Sequence, residues 1–157
     1  MTLPNLSKRL NFKFKKKPLL VGGMAMEYYG LRKSGEDVDF IIDKSDHARL
    51  KKHLKTQILT IPKKQHKKSY KTTPEFVDLY GDEGILLFEF EIWNQIVKCD
   101  YPSLVEGAVE QENCIVISLE KLLFLKALGM HKAKYLNDVK LIVKRILDLK
   151  YKNNTES

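Results

Sequence analysis

Cysteine is scarce: Cys99 and Cys114 are the only two in 157 residues, with no CxxC spacing and no neighbouring histidine. A disulfide framework and a zinc site are both unexpected. No apolar run approaches the roughly 18 residues of a membrane span, and residues 1–9 lack the apolar stretch of a secretory signal. An intracellular, cytoplasmic setting with no membrane partner is therefore expected. Internal repeats and low-complexity linkers are also missing. The 43% hydrophobic share, with seven Phe, seven Tyr and one Trp, excludes a disordered or fibrous chain. The length suits one core rather than a two-domain enzyme. Residues 1–152 are read as a single domain and residues 153–157 as a frayed polar tail.

Charge of one sign or the other is missing locally. Residues 8–17 hold six basic side chains and no acid. Between Asp46 and Glu75 there is no carboxylate, while nine Lys/Arg run from Arg49 to Lys71 among His47, His53 and His66. Residues 72–97 reverse the pattern: no Lys or Arg, but Glu75, Asp78, Asp82, Glu83, Glu89 and Glu91. The formal +8, from 28 Lys+Arg against 20 Asp+Glu, is thus a difference between unlike segments. By itself it points only weakly to a polyanionic partner. A run of like charge is ordinarily a solvated face. Carboxylates crowded among Phe, Leu and Ile are harder to dismiss, because they repel one another and resist desolvation unless a cation or water is near.

Periodicity and punctuation give a mixed α+β domain in the order β-α-β-α-β-β, with helices collected toward the C-terminus. PLLV (18–21) reads as a buried strand ending in a Gly22-Gly23 turn, and residues 24–29 as a short helix stopped by Gly30. DVDFII (37–42) is β-branched and aromatic, hence a strand. Ser45 is the expected N-cap of a helix reaching about residue 55. Residues 75–80 and 85–93 read as strands joined around Gly81-Asp82-Glu83-Gly84. Residues 115–117 form a last strand before Ser118 caps a leucine-rich helix to about residue 128. A final helix spans about 135–149, with Leu136, Val139, Ile142, Val143, Ile146 and Leu147 at helical spacing, a stripe expected to be mostly core.

Chemistry concentrates between residues 19 and 42. Side chains alternate along a strand, so Asp37 and Asp39 share one face about 7 Å apart at Cα. Such a pair is unfavourable alone but forms an oxygen-donor site suited to a hard divalent cation and phosphate substrates. Glycines let the backbone approach a ligand closely, and helix-start N–H groups favour an anion. Each part has an ordinary reading, a turn for Gly-Gly and a strand-edge charge pair for Asp-Val-Asp. In this order and spacing they describe a metal-nucleotide cradle.

LLVGGMAMEYYGLRKSGEDVDFII (19–42) resembles the hallmark of the DNA polymerase beta-like nucleotidyltransferase superfamily: apolar strand, Gly-Gly, short helix, then a D-x-D strand. The small single-domain bacterial branch is nearest, including AbiEii-like toxins and relatives of the aminoglycoside and lincosamide nucleotidyltransferases. The resemblance matches Arg32 and Ser34 to the Arg and Ser/Thr often found before the aspartates, although Glu36 makes this linker one residue longer. PEFVDLYGDEG (74–84) is similar to the third-carboxylate strand, giving Asp78, with Glu89 and Glu91 as competitors. ISLEKLLFLKAL (117–128) supplies Lys126, otherwise an ordinary exposed helical lysine. KYLNDV (134–139) supplies Lys134 and Asp138, with Tyr135 where an acid is common.

The resemblance implies an NTP- and Mg²⁺- or Mn²⁺-dependent transfer of NMP to an acceptor hydroxyl, with release of pyrophosphate. Asp37, Asp39 and Asp78 would be the catalytic metal ligands, and Gly22, Gly23, Arg32, Ser34, Lys126 and Lys134 the nucleotide-binding residues. The basic segments, including Tyr70, suit RNA, and tRNA is favoured as acceptor over a cationic antibiotic. A toxin or defence role with a cognate antitoxin fits the same branch. The alternatives are an antibiotic nucleotidyltransferase and a non-catalytic nucleotide- or RNA-binding module. A further reading takes the C-terminal helix as a partner surface.

Overall fold

The computed structural model describes residues 1–35, 37–56, 75–80, 86–93, 95–96, 99–128 and 132–155; for β3 and most of β4 below, that description is of backbone path and pairing. The chain order is α1 (Leu6–Leu10), β1 (Leu19–Val21), α2 (Gly22–Tyr28), β2 (Asp37–Ile41), α3 (Lys44–Thr56), β3 (Glu75–Tyr80) and β4 (Leu86–Trp93). Then come β5 (Gln95–Ile96), β6 (Cys99–Asp100), α4 (Tyr101–Leu104), β7 (Val109–Glu110), β8 (Ile115–Val116), α5 (Leu119–Leu128) and α6 (Ala133–Thr155). This is the expected mixed α+β fold.

Six strands form one sheet in the order β3-β4-β2-β1-β8-β7, and β5 with β6 forms a separate two-stranded pair. β1 runs antiparallel to β2 and parallel to β8, while β2 is parallel to β4 and β4 antiparallel to β3. β1 and β2 are therefore interior strands, which explains the unbroken apolar run of β1: Leu19, Leu20 and Val21 are all buried. In β2, Val38 and Phe40 are buried on one face, while the other carries exposed Asp37 and half-buried Asp39 before it closes over at the fully buried Ile41. Each fully buried Leu, Ile or Phe contributes about 1.5–3 kcal/mol relative to exposure.

The basic N-terminal segment is more structured than its charge predicts. Leu6 and Leu10, one helical turn apart, bury themselves and make α1, capped by the Asn5 side chain, which accepts from the Lys8 N–H at 3.0 Å. Beyond it, the fully buried Asp46 carboxylate accepts from the Lys15 N–H at 3.1 Å, the Lys16 N–H at 3.0 Å and Arg49 Nη1 at 2.6 Å. The arm's backbone is pinned, and its lysine side chains stay exposed.

Several boundaries differ from expectation. α2 begins at Gly22 itself rather than at residue 24, because Val21 ends extended and Gly22 adopts φ +68° to turn directly into the helix. Ser45 is not the cap of α3; Asp43 is, its carboxylate accepting the Ser45 N–H at 3.3 Å and the Ser45 hydroxyl at 2.7 Å. A carboxylate accepts a backbone N–H more strongly than a hydroxyl does. Ser118 does cap α5, accepting the Lys121 N–H at 3.2 Å. α6 continues to Thr155 instead of stopping near residue 149, since no Gly or Pro interrupts it. Its stripe is only partly core: Ile142 is fully buried and Ile146 packs against the core, but Leu136, Val143 and Leu147 remain exposed. The expected turn at residues 81–84, the basic residues between 57 and 71, and Tyr70 lie outside the described residues.

Candidate active site

The β1–β2 register sets Val21 opposite Asp39, so the residue that follows the strand, Gly22, lies against the aspartate. A Cβ at Gly22 would fall on Asp39 Oδ2 and stand 3.1 Å from Asp39 Cβ and Cγ. Glycine is required here twice, once for its positive φ and once for the space the carboxylate fills. At Gly23 an added Cβ would stand 3.4 Å from Arg32 Nη1 and 3.7 Å from Ser34 Cβ. The loop after α2 thus folds back beside the two glycines, and the Ser34 N–H donates to Glu27 Oε1 at 3.4 Å. Gly22, Gly23, Arg32, Ser34 and Asp39, adjacent in motif, are gathered in space.

Acidic residues occupy in-register positions across the sheet. Asp37 of β2 pairs in register with Glu89 of β4, which pairs in turn with Asp78 of β3. One step along, Asp39 pairs with Glu91. Adjacent strands lie about 4.8 Å apart. The β4 glutamates therefore stand one strand from the aspartates, and Asp78 stands two strands, about 10 Å, from Asp37. Like charges directly opposite across strands are destabilising. The backbone register thus places five acidic residues at neighbouring positions, two in one row and three in the other. Among the described residues, no three His, Cys, Asp or Glu side chains form a metal-holding group.

Opposite charge comes from the loop after α2 and from α5. Arg32 donates bidentately to Asp138, Nε to Oδ1 at 2.6 Å and Nη2 to Oδ2 at 2.8 Å. Lys126 Nζ reaches the same Oδ2 at 3.0 Å. Lys126 is 6% exposed and Asp138 2%, so the ordinary exposed helical lysine of the sequence reading is a buried ion-pair member. Burial pushes the Lys126 ammonium below its usual pKa, opposed by its hydrogen bond to Asp138 and by the charge of Asp39. Burial pushes the Asp138 carboxyl up, but Arg32 and Lys126 together outweigh it and hold the group below the usual carboxylate range. The hydrogen bond to Asp138 raises the Arg32 pKa still further. Lys134 is exposed, 5.1 Å from the Tyr135 ring centroid, and Lys126 approaches the same ring at 4.9 Å.

Arg32 and Lys126 are therefore brought together through Asp138, with Arg32 at the glycine edge, while Lys134 is placed only against the Tyr135 ring. Sequence reasoning singled out Asp138 without a partner. Its partners are 106 and 12 residues away, and no local periodicity links a loop arginine to a helical aspartate at that separation. Glu27 was not singled out, and a glutamate seven residues before a serine carries no recognisable signal. Both cysteines are buried and free. No described helix is long and apolar enough to cross a membrane. Compared with models of protein families, with curated proteins and with solved structures, the chain matches none.

Proposed function

We propose that this chain is a metal-dependent nucleotidyltransferase, moving NMP from an NTP to an acceptor hydroxyl, with a tRNA-like RNA as acceptor. The observation that carries the reading is the contact of Gly22 with Asp39: a glycine turn with positive φ, backed onto an aspartate in a row of carboxylates. A turn alone would not need to abut a carboxylate, and a strand-edge charge pair would not need in-register acids on the neighbouring strand.

The acceptor oxygen attacks the α-phosphorus, the bond from that phosphorus to its bridging oxygen breaks, and pyrophosphate leaves. Asp37 and Asp39, with an acid from β3 or β4, would hold Mg²⁺ or Mn²⁺, which when bound neutralises phosphate charge and lowers the pKa of the hydroxyl. Gly22 and Gly23 let the triphosphate approach the backbone. Arg32 uses one hydrogen on each of its three nitrogens, two for Asp138 and one for the Lys33 carbonyl at 2.9 Å. Each terminal nitrogen keeps one N–H for a phosphate oxygen. Lys126 and Lys134 add charge beside it, and a carboxylate of the rows accepts the hydroxyl proton.

RNA is favoured as acceptor because Lys8, Arg9, Lys13, Lys15 and Lys16 are exposed on an arm whose backbone is fixed, alongside Lys51 and Lys52 on α3. Such a surface binds phosphates with a steep salt dependence. The test is incubation with each of the four labelled NTPs, Mg²⁺ or Mn²⁺, and total cellular RNA. Label on RNA is expected; label on an added aminoglycoside or lincosamide instead would move the acceptor to an antibiotic. Salt-sensitive RNA binding with no transfer from any NTP would leave a binding module and overturn the enzyme.

A further inference from the structure

We propose that Asp138 is a positioning residue, holding the Arg32 guanidinium and the Lys126 ammonium side by side at the Gly23 edge of the site. Both its oxygens are committed: Oδ1 accepts Arg32 Nε, and Oδ2 accepts both Arg32 Nη2 and Lys126 Nζ. The carboxylate arrives on α6, the arginine on the loop after α2 and the lysine on α5. One buried side chain therefore locks three elements that sequence separates by up to 106 residues.

Two cations against one carboxylate leave one net positive charge. It lies beside Gly23, whose missing Cβ would stand 3.4 Å from Arg32 Nη1. Two buried charges, Lys126 and Asp138, with a half-buried Arg32 are an expensive way to fasten these elements, because apolar side chains of similar volume would do so at least as well. What the charged arrangement adds is orientation. A bidentate contact through Nε and Nη2 fixes the guanidinium plane and turns the remaining terminal N–H groups away from Asp138. Asp138 thus acts through Arg32 and Lys126 rather than by touching a ligand, and a phosphate meets a pair already in place. The functional half of this proposal rests on the nucleotidyl-transfer reading; the tether itself does not.

The tether is read from hydrogen exchange of the Arg32 Nε–H by ¹⁵N NMR on the full chain. In Asp138→Asn that exchange is expected to accelerate at least about tenfold, while the amides of β1 and β2 stay protected. Asp138→Glu, which keeps the charge, is expected to restore part of the protection. The functional half is read from transfer kinetics: Asp138→Asn raises the KM for Mg-ATP by about tenfold with a smaller change in kcat, and Asp138→Glu recovers part of it. Unchanged Arg32 exchange in folded Asp138→Asn overturns the tether, whether or not the chain transfers nucleotides. Faster exchange with an unchanged KM overturns the positioning role and leaves the carboxylate merely structural. If wild type transfers from no NTP, the functional half falls with the enzyme reading while the exchange result still decides the tether. If Asp138→Asn does not fold, Lys126→Met/Asp138→Asn removes one uncompensated cation, and the Arg32 Nε–H is compared there with Lys126→Met alone.

Discussion

Gly22 and Asp39 occupy one another's space: the hydrogen at Gly22 Cα stands where any other residue would put a carbon on the Asp39 carboxylate. Gly22→Ala must therefore strain a backbone at φ +68° and also displace the aspartate. Gly30 is an internal control, since its φ is +69° and a Cβ there meets nothing within 4 Å. Gly30→Ala is expected to cost about 1 kcal/mol by strain alone and Gly22→Ala clearly more. Equal losses in urea denaturation would mean that Asp39 yields freely. Gly22→Ala is also expected to lose transfer activity that Gly30→Ala retains.

Removing charge at Asp39 separates fold from chemistry. Asp39→Asn keeps the shape against Gly22 and is expected to unfold near the wild-type temperature while losing transfer by about 100-fold or more, the scale on which one charged group at a reacting centre is felt. Wild-type turnover in this variant would refute the enzyme assignment. Among Asp78→Asn, Glu89→Gln and Glu91→Gln, the larger loss is expected from a β4 glutamate, because β4 lies beside β2 and β3 is one strand farther. A kcat series over the three variants decides it.

Asp46 is expected to behave as a structural latch. Asp46→Ala leaves the Lys15 and Lys16 N–H groups and the Arg49 guanidinium without their carboxylate, and should cost about 1.5–3 kcal/mol. Amide exchange at residues 15 and 16 should rise before global unfolding, and RNA binding should weaken as the arm loses its fixed path. Stability within about 0.5 kcal/mol of wild type would contradict the latch.

Asp138 and Lys126 both gain stability as pH rises, in separate windows, because the folded pKa of each lies below its unfolded value. The Asp138 folded pKa lies below its unfolded value of about 3.9, so its stabilisation is complete above that value and is lost as pH falls through the folded pKa. Lys126 also has a lowered folded pKa, but as a base it is penalised while charged. Its contribution improves as pH rises from the folded value toward about 10.4. Melting temperatures across the acid range should fall less steeply in Asp138→Asn than in wild type, from a lower starting value. Parallel acid limbs would contradict the shift.

The thiols should be silent in the native state. Burial pushes Cys114 up to about 11 and raises Cys99 as well, so little thiolate is present near neutral pH. Reaction with a disulfide reagent should be slow in buffer and accelerate with urea in step with unfolding. Fast native labelling of either cysteine would show local opening.

Local chemistry in the sequence was sufficient for the strand, glycine, helix and Asp37-Val38-Asp39 unit, because backbone alternation, positive φ and helix stops are set by neighbouring residues. The same holds for the α+β class, for the Ser118 cap and for β3 and β4 pairing as a hairpin. α1 was hidden because a short helix depends on burial of Leu6 and Leu10 rather than on its own propensity. What surrounds the cradle was decided only in three dimensions. The strand order puts β4 between β3 and β2, aligning Glu89 with both Asp37 and Asp78, and strand order is set by how whole elements bury their faces. Likewise, nothing near residue 138 announces Arg32 or Lys126. Their meeting follows from α5 and α6 packing back toward the loop after α2, and turns an unremarkable lysine into a buried charge.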